Sequence, residues 1–357
     1  MAFIGLKGGS MKKIIQGILV LALIVLMAAC QKGPEEKVLR VYNWGEYINP
    51  ETLDKFQKET GIKVIYETYA SNEDLYVKLT SGTEAYDVVV PSDYLIERCI
   101  KEGLVQKINK NHIPNYKNIF PDLLYQSFDP KNDYSIPYFW GTLGIIYNKE
   151  AIKEKIDSWD ALWNPKYAGN ILMYDSQRDS IAIALKRLGY SMNSKNLTEL
   201  EEAKESLIKQ KPLVYAYLAD EARDLMIQGD AYLCAMYSGD AFLMMEENKN
   251  LDFVLPKEGT NLFMDSLMIP KNAKHLKEAE EFINFLCRPD IAKLNVEEVR
   301  GYSTPIKGTY DMLEDQLKYS DVAYPDLSKA PPMEVYRDSS DINEVYYDLW
   351  AQVQGAY

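Results

Sequence analysis

The chain has 357 residues, 47% hydrophobic and 26% charged, with a formal net charge of −13 at pH 7. That is enough apolar material for one large or two ordinary domains, and it excludes a disordered chain. The acidity argues against a nucleic-acid partner, whose phosphates require a basic face, and is compatible with a cationic ligand.

At the N-terminus, Lys12 and Lys13 precede IIQGILVLALIVLMAAC, an apolar run that ends in small residues and Cys30. A charged n-region, an apolar h-region and a small-residue cleavage site make an export signal, here residues 1–30. The terminal MAAC resembles a bacterial lipobox, in which Cys30 becomes the lipidated first residue of the mature chain, with Met27 where Leu is commoner. The alternative is an uncleaved membrane anchor, for which the segment is short. QKGPEEK, residues 31–37, reads as a tether. On either reading the working part lies periplasmic or at the cell surface, outside the cytoplasmic membrane.

VLRVYN reads as the first strand, and VYNWGEYI, residues 41–48, gathers Tyr42, Trp44 and Tyr47 around Glu46 at its carboxyl end. NPETLDKFQKETG predicts a helix with Asn49 as N-cap, Pro50 in the first turn and Gly61 as the stop. IKVIYETYA predicts a strand, and SNEDLYVKLTSG a helix with Ser71 and Asp74 spaced as a capping box. YDVVVPSDY predicts a short strand broken by Pro91. This order implies a parallel α/β sheet, whose ligands bind at the carboxyl ends of strands, where YNWGEY and PSDY both fall.

DYSIPYFWGTLGIIYNKE, residues 133–150, has no helical period and reads as an extended crossing into a second domain. There ILMYDSQRDSIAIALKRLG and DAYLCAMYSGDAFLMM each predict strand, turn and helix, with a Glu-rich helix near 198–210 between them. FMDSLMIP predicts a strand with an acid at its start, and AKHLKEAEEFINFLCRPD one helix. His112 and His275 lie far apart, and Cys30, Cys99, Cys234 and Cys287 show no CxxC spacing, so zinc and redox signatures are absent. No metal or cofactor is expected, and the last three cysteines read as small buried apolar residues.

Taken together, VYNWGEY, ETGIKVIYETYASNEDLYVKL, YDVVVPSDY, FDPKNDYSIPYFWG, FMDSLMIP, INFLCRPD and GYSTP resemble bacterial spermidine/putrescine-binding proteins, in the same order from about Val38 onward. These are the extracytoplasmic receptors of polyamine ABC importers. The resemblance implies a two-lobed, type II-like periplasmic-binding-protein fold that closes on a ligand in the interlobe cleft. One lobe would take residues 38–143 and 264–310, the other 144–263 and 311–357. It also implies a monomer without enzymatic activity whose partner is a membrane permease.

A polyamine is an extended cation with apolar spacers, so its receptor needs carboxylates at intervals and aromatic walls, which also attract the cation itself. By motif, the resemblance assigns Trp44 and Tyr47 to the walls, Glu46 to an ammonium, and Ser92 and Tyr94 to polar contacts, with Asp93 between them either a further contact or a solvated turn residue. Asp265 takes the place of the central carboxylate and Tyr302 that of another ring. In DSQRD the first of two acids falls on Ser176 while Asp179 retains the second, and Asp175, one residue before Ser176, is either an alternative or a bystander. Tyr237 and Phe263 stand where spermidine receptors carry Trp. Asp240 falls where the putrescine-preferring branch has an acid, and Glu334 replaces an amide ligand. These departures leave the choice between spermidine and putrescine open.

Two other readings are carried. An exported glycoside hydrolase would use paired acids such as Asp175 and Asp179. The same fold binding ferric iron would use the adjacent Tyr346 and Tyr347, although INEVYYDLW reads as a helix with one packed face.

Overall fold

The structure is a computed structural model and describes residues 37–219, 221–318 and 320–356. The export signal, Cys30 and all of the tether except Lys37 lie outside the described residues. No helix among the described residues is long and apolar enough to cross a membrane.

β1 (Val38–Trp44) alternates buried and half-buried positions, as a strand with two unequal faces must. Pro50 opens α1 (Pro50–Thr60), the Asn49 side chain accepts the Glu51 N–H, and Gly61 closes it at φ 73°. β2 (Lys63–Tyr69) runs parallel to β1, and α2 (Asn72–Ser81) follows. Its cap is the expected one, with Ser71 Oγ accepting the Asp74 N–H at 3.1 Å. β3 (Val88–Val89) is also parallel to β1, so the parallel arrangement read from the sequence is found. Pro91 ends it, and α3 (Asp93–Lys101) begins two residues later.

After β4 (Val105–Gln106), the extended crossing appears as β5 (Ser135–Asn148). Then come β6 (Ile171–Tyr174), α4 (Gln177–Arg187), α5 (Leu197–Gln210), β7 (Val214–Leu218) and α6 (Ala222–Gln228). β8 (Leu233–Tyr237) passes directly into α7 (Ser238–Glu247), without the separate turn the sequence suggested. β9 (Leu251–Val254) and β10 (Thr260–Pro270) follow. The helix expected over AKHLKEAEEFINFLCRPD is two: α8 (Leu276–Leu286) and α9 (Pro289–Glu298). Pro289 supplies no N–H and fits only a first turn, so the chain must restart there. β11 (Met333–Glu334) and α10 (Asn343–Gly355) complete the described elements used below.

The strands hydrogen-bond in the order β2-β1-β3-β10-β5-β8-β6-β7. β5 changes partners along its length. Ser135 to Thr142 pair with β10, whereas Leu143 to Asn148 pair with β8 and β9. One core gathers around Phe56, Phe282 and Phe285, whose rings meet edge-on at 5.0 and 5.2 Å. A second gathers around Trp159, Tyr167 and Trp350 under α4 and α5. β5 contributes to both, through Ile136 and Phe139 in the first and Leu143 and Ile145 in the second. Cys99, Cys234 and Cys287 are free and buried, as the sequence suggested.

Candidate ligand-binding cleft

The pairing of β10 with β5 shifts register between Asp265 and Ser266, which face Phe139 and Pro137, so that Tyr138 is an extra, bulged residue on β5. A bulge re-aims the side chains beside it. The Asp265 carboxylate is 6% exposed and accepts the Tyr47 hydroxyl at 2.6 Å. Tyr47 reaches it because the chain bends sharply after β1, with Glu46 at φ 50°. A left-handed non-glycine residue costs on the order of 1 kcal/mol, a strain that surrounding structure must hold in place. Tyr138 does so by donating its hydroxyl to the Tyr47 carbonyl at 2.7 Å. Burial pushes the Asp265 carboxyl up to about 6, while the hydroxyls of Ser92 and Tyr47 pull the other way. Its Oδ1 is buried and makes no hydrogen bond of ordinary geometry, though the Ser92 hydroxyl is near enough to favour the charged form.

Glu46 is exposed at this bend, and its carboxylate makes no hydrogen bond among the described residues. Trp44 is half-buried, its indole N–H donating to the Val90 carbonyl at 2.8 Å and its ring 4.7 Å from that of Tyr69. Ser92 bridges to Asp265 through the backbone and stands at the N-terminus of α3.

Asp179 lies in the first turn of α4, 5% exposed. It accepts the hydroxyls of Tyr237 at 2.7 Å and Tyr336 at 2.8 Å. Ser176, at the position of the missing acid, caps this helix by accepting the Asp179 N–H. Asp175 is exposed and Asp179 is covered by two phenols, so the two do not form a facing acid pair.

Between Asp265 and Asp179 runs a row of rings packed edge to face. Tyr47 meets Tyr302 at 5.6 Å, Tyr302 meets Phe263 at 5.9 Å, and Phe263 meets Tyr237 at 5.3 Å. Tyr174 extends it past Tyr237 at 5.4 Å. Such pairs contribute about 0.5–1.5 kcal/mol each beyond burial, so the wall is preformed. Two glycines make room for it. A Cβ on Gly141 would lie 2.5 Å from the Phe263 ring, and one on Gly239 2.6 Å from the Tyr302 ring. Burial, with nearby carboxylates, raises the phenols of Tyr47, Tyr237, Tyr302 and Tyr336 well above their usual range, so all four stay neutral.

The remaining sequence-predicted residues divide. Asp93 is not a solvated turn residue: it opens α3, is 1% exposed, and accepts the backbone N–H of Tyr94 at 2.8 Å and of Tyr336 at 3.1 Å. Burial pushes its carboxyl up to about 8, those two N–H groups opposing the rise. The Tyr94 ring lies under the Arg178 guanidinium, 4.2 Å from its centroid. Asp240 is buried and paired with Arg223. Glu334 is already engaged by the Lys186 ammonium at 2.6 Å and by Ser191 and the Met192 N–H. Its charge is compensated within the fold, which sets it apart from Asp265 and Asp179.

Sequence reasoning missed Tyr336, Arg178 and Arg223. Tyr336 was within reach, two residues past Glu334 in PPMEVYRD and so on the same side of an extended segment. The iron reading fares poorly in α10, where Tyr346 is buried and Tyr347 is 55% exposed, so the adjacent phenols do not converge.

Residues 51–325 match the family described as bacterial extracellular solute-binding protein. The chain is 41% identical over 342 residues to the spermidine/putrescine-binding periplasmic protein of Escherichia coli, covering 94% of this chain and 98% of that one. It is 39% identical over 301 residues to the putrescine-binding periplasmic protein SpuD of Pseudomonas aeruginosa, covering 79% and 82%. Among solved structures, it superposes with a TM-score of 0.81 on the spermidine/putrescine ABC transporter substrate-binding protein PotD from Streptococcus pneumoniae. That match has 41% identity and covers 89% of this chain and 98% of that one.

Proposed function

This chain belongs to the bacterial extracellular solute-binding proteins, together with the spermidine/putrescine-binding periplasmic proteins, and we propose that it is a polyamine receptor handing its ligand to the permease of an ABC importer. One observation carries the reading. Asp265 and Asp179 are buried at the two ends of an aromatic row, and among the described residues neither has a Lys, Arg or His nitrogen at ion-pair distance. A buried carboxylate without a countercharge is costly, so a pair of them on one wall calls for a cationic guest. Neutral phenols donate to the carboxylates, and the ring faces and edges between them suit methylene spacers.

In this reading Asp265 and Asp179 each hold an ammonium, and Trp44, Tyr47, Tyr237, Phe263 and Tyr302 wall the spacers. Glu46, exposed at the mouth, adds a third carboxylate. Tyr336 takes the place first assigned to Glu334. Residues 38–143 and 264–310 form one lobe and residues 144–263 and 311–357 the other, so that binding draws them together through ligand bridging. Asp93 and the Tyr336 N–H, and Glu97 with Arg337 at 2.6 and 2.9 Å, are contacts across that boundary. The protein acts as a monomer, without chemical turnover, anchored outside the membrane through a lipidated Cys30.

Deletion of the chain should abolish high-affinity uptake of labelled spermidine and putrescine. Wild type should restore it and Asp265→Asn should not. Normal uptake after deletion, or full rescue by Asp265→Asn, would refute the reading. Cys30→Ala should move the protein from the membrane to the soluble fraction with ligand binding intact, and unchanged membrane association would refute the anchor.

A further inference from the structure

Asp240 differs from Asp265 and Asp179 in having a cation of its own. It sits in the first turn of α7, with 6% of its side chain exposed, and the Arg223 guanidinium from the first turn of α6 pairs with it. The neighbouring Gly239 backbone lies directly against the Tyr302 ring, the second ring of the row, and the Gly301 backbone also packs closely on Gly239. Asp240 therefore flanks the row one ring along from the Tyr47–Asp265 end, whereas Asp179 lies at the fourth ring. A ligand spanning Asp265 and Asp240 would be shorter than one spanning Asp265 and Asp179.

We propose that Arg223 is a specificity-determining residue, a tethered guanidinium that stands where a ligand ammonium would otherwise meet Asp240. The inference rests on the polyamine reading and deepens it. With Arg223 in place, Asp240 is compensated inside the fold and a short diamine must compete with a covalently attached cation. A longer triamine that reaches Asp179 does not need Asp240. Arg223 has 37% of its side chain exposed, although its Nε is buried, so each variant must be checked for folding. The residue thus biases the cleft against the shorter ligand while leaving its walls untouched.

The test is calorimetric titration with putrescine and spermidine of wild type, Arg223→Met, Arg223→Gln, Arg223→Lys and the double variant Arg223→Met/Asp240→Asn, each checked for folding by thermal melting. Removing the guanidinium should tighten putrescine by about tenfold and spermidine by no more than about threefold. Adding Asp240→Asn should cancel the gain, and Arg223→Lys should keep wild-type selectivity. Arg223→Gln repeats the measurement should the methionine variant melt early. A gain larger for the triply charged spermidine is what diffuse electrostatics would give, and it would overturn the proposal. So would a gain that survives Asp240→Asn, or no gain at all. Wild type that binds neither amine would overturn the receptor reading itself, a result distinct from unaltered selectivity in the variants.

Discussion

The two charged regions of this molecule treat their carboxylates in opposite ways. Where α3 meets residues 334–340, Glu97 is held by Arg337 and Lys101, Asp338 by Lys101, and Glu334 by Lys186. At the ends of the aromatic row, Asp265 and Asp179 meet hydroxyl groups. A hydroxyl solvates a carboxylate but does not neutralise it. In the first region Glu97, Asp338 and Glu334 already have their countercharges within the fold. The second has no countercharge at ion-pair distance among the described residues, and the proposed polyamine would supply it. Acid content alone therefore locates nothing, and the partner of each acid decides its role.

The largest effect that would break this contrast is at Asp265. Asp265→Asn keeps the shape and removes the charge, and it should weaken polyamine binding by roughly 2–5 kcal/mol. The free protein should melt no lower near pH 8, since a costly buried charge is gone. Near-normal affinity by titration would mean that Asp265 belongs with the structural acids.

Next in size is the response to pH. The ordinary carboxyl value for Asp is about 3.9, and Asp265 is raised to about 6. A raised group contributes stability that is fully present below about pH 4 and is lost as pH rises through about 6. Asp93, raised to about 8, extends the decline further. The ligand-free protein should thus lose stability from about pH 4 to 8 at these two sites. Binding runs the other way, because an ammonium favours the ionised form. Affinity should rise about tenfold between pH 5 and 7, with protons released near pH 6. Titrations in buffers of different ionisation enthalpy measure that release. Affinity that is flat over this range would show that Asp265 is already ionised without ligand.

How much of this was legible in the sequence depends on what kind of feature is asked about. Caps and helix stops were, since Asn49, Ser71 and Gly61 act locally through backbone hydrogen bonds and φ. The strand ends carrying Trp44, Tyr47 and Ser92 were also legible, whereas Asp265, expected at the start of its strand, lies in the middle of β10, which begins at Thr260. The partners were not. Arg223 and Asp240 are brought together by the packing of two helices, and Lys186 finds Glu334 across 148 positions. No local signal encodes such meetings. The split between α8 and α9 could have been read from Pro289, whose place one residue after Arg288 forbids a continuous helix.

Smaller effects sharpen the comparison. Trp44→Ala should cost somewhat more than about 1 kcal/mol of binding through lost wall area and cation–π attraction. An unchanged affinity would confine Trp44 to packing against Tyr69. Smallest is Glu334→Gln, which should leave affinity within about twofold and lower stability by roughly 1 kcal/mol, since the Lys186 pair is partly exposed. A marked loss of binding with unchanged melting would instead return Glu334 to the ligand set.

The most direct test of the central claim is a calorimetric comparison, at about pH 7.5, of putrescine and spermidine with 1,4-butanediol, which keeps putrescine's spacer and replaces both ammonium groups by hydroxyls. If the uncompensated carboxylates select a cation, both amines should bind with one-to-one stoichiometry, within about tenfold of each other, and the diol should give no measurable heat of binding. Saturable binding of the diol, or none of either amine, would contradict the account.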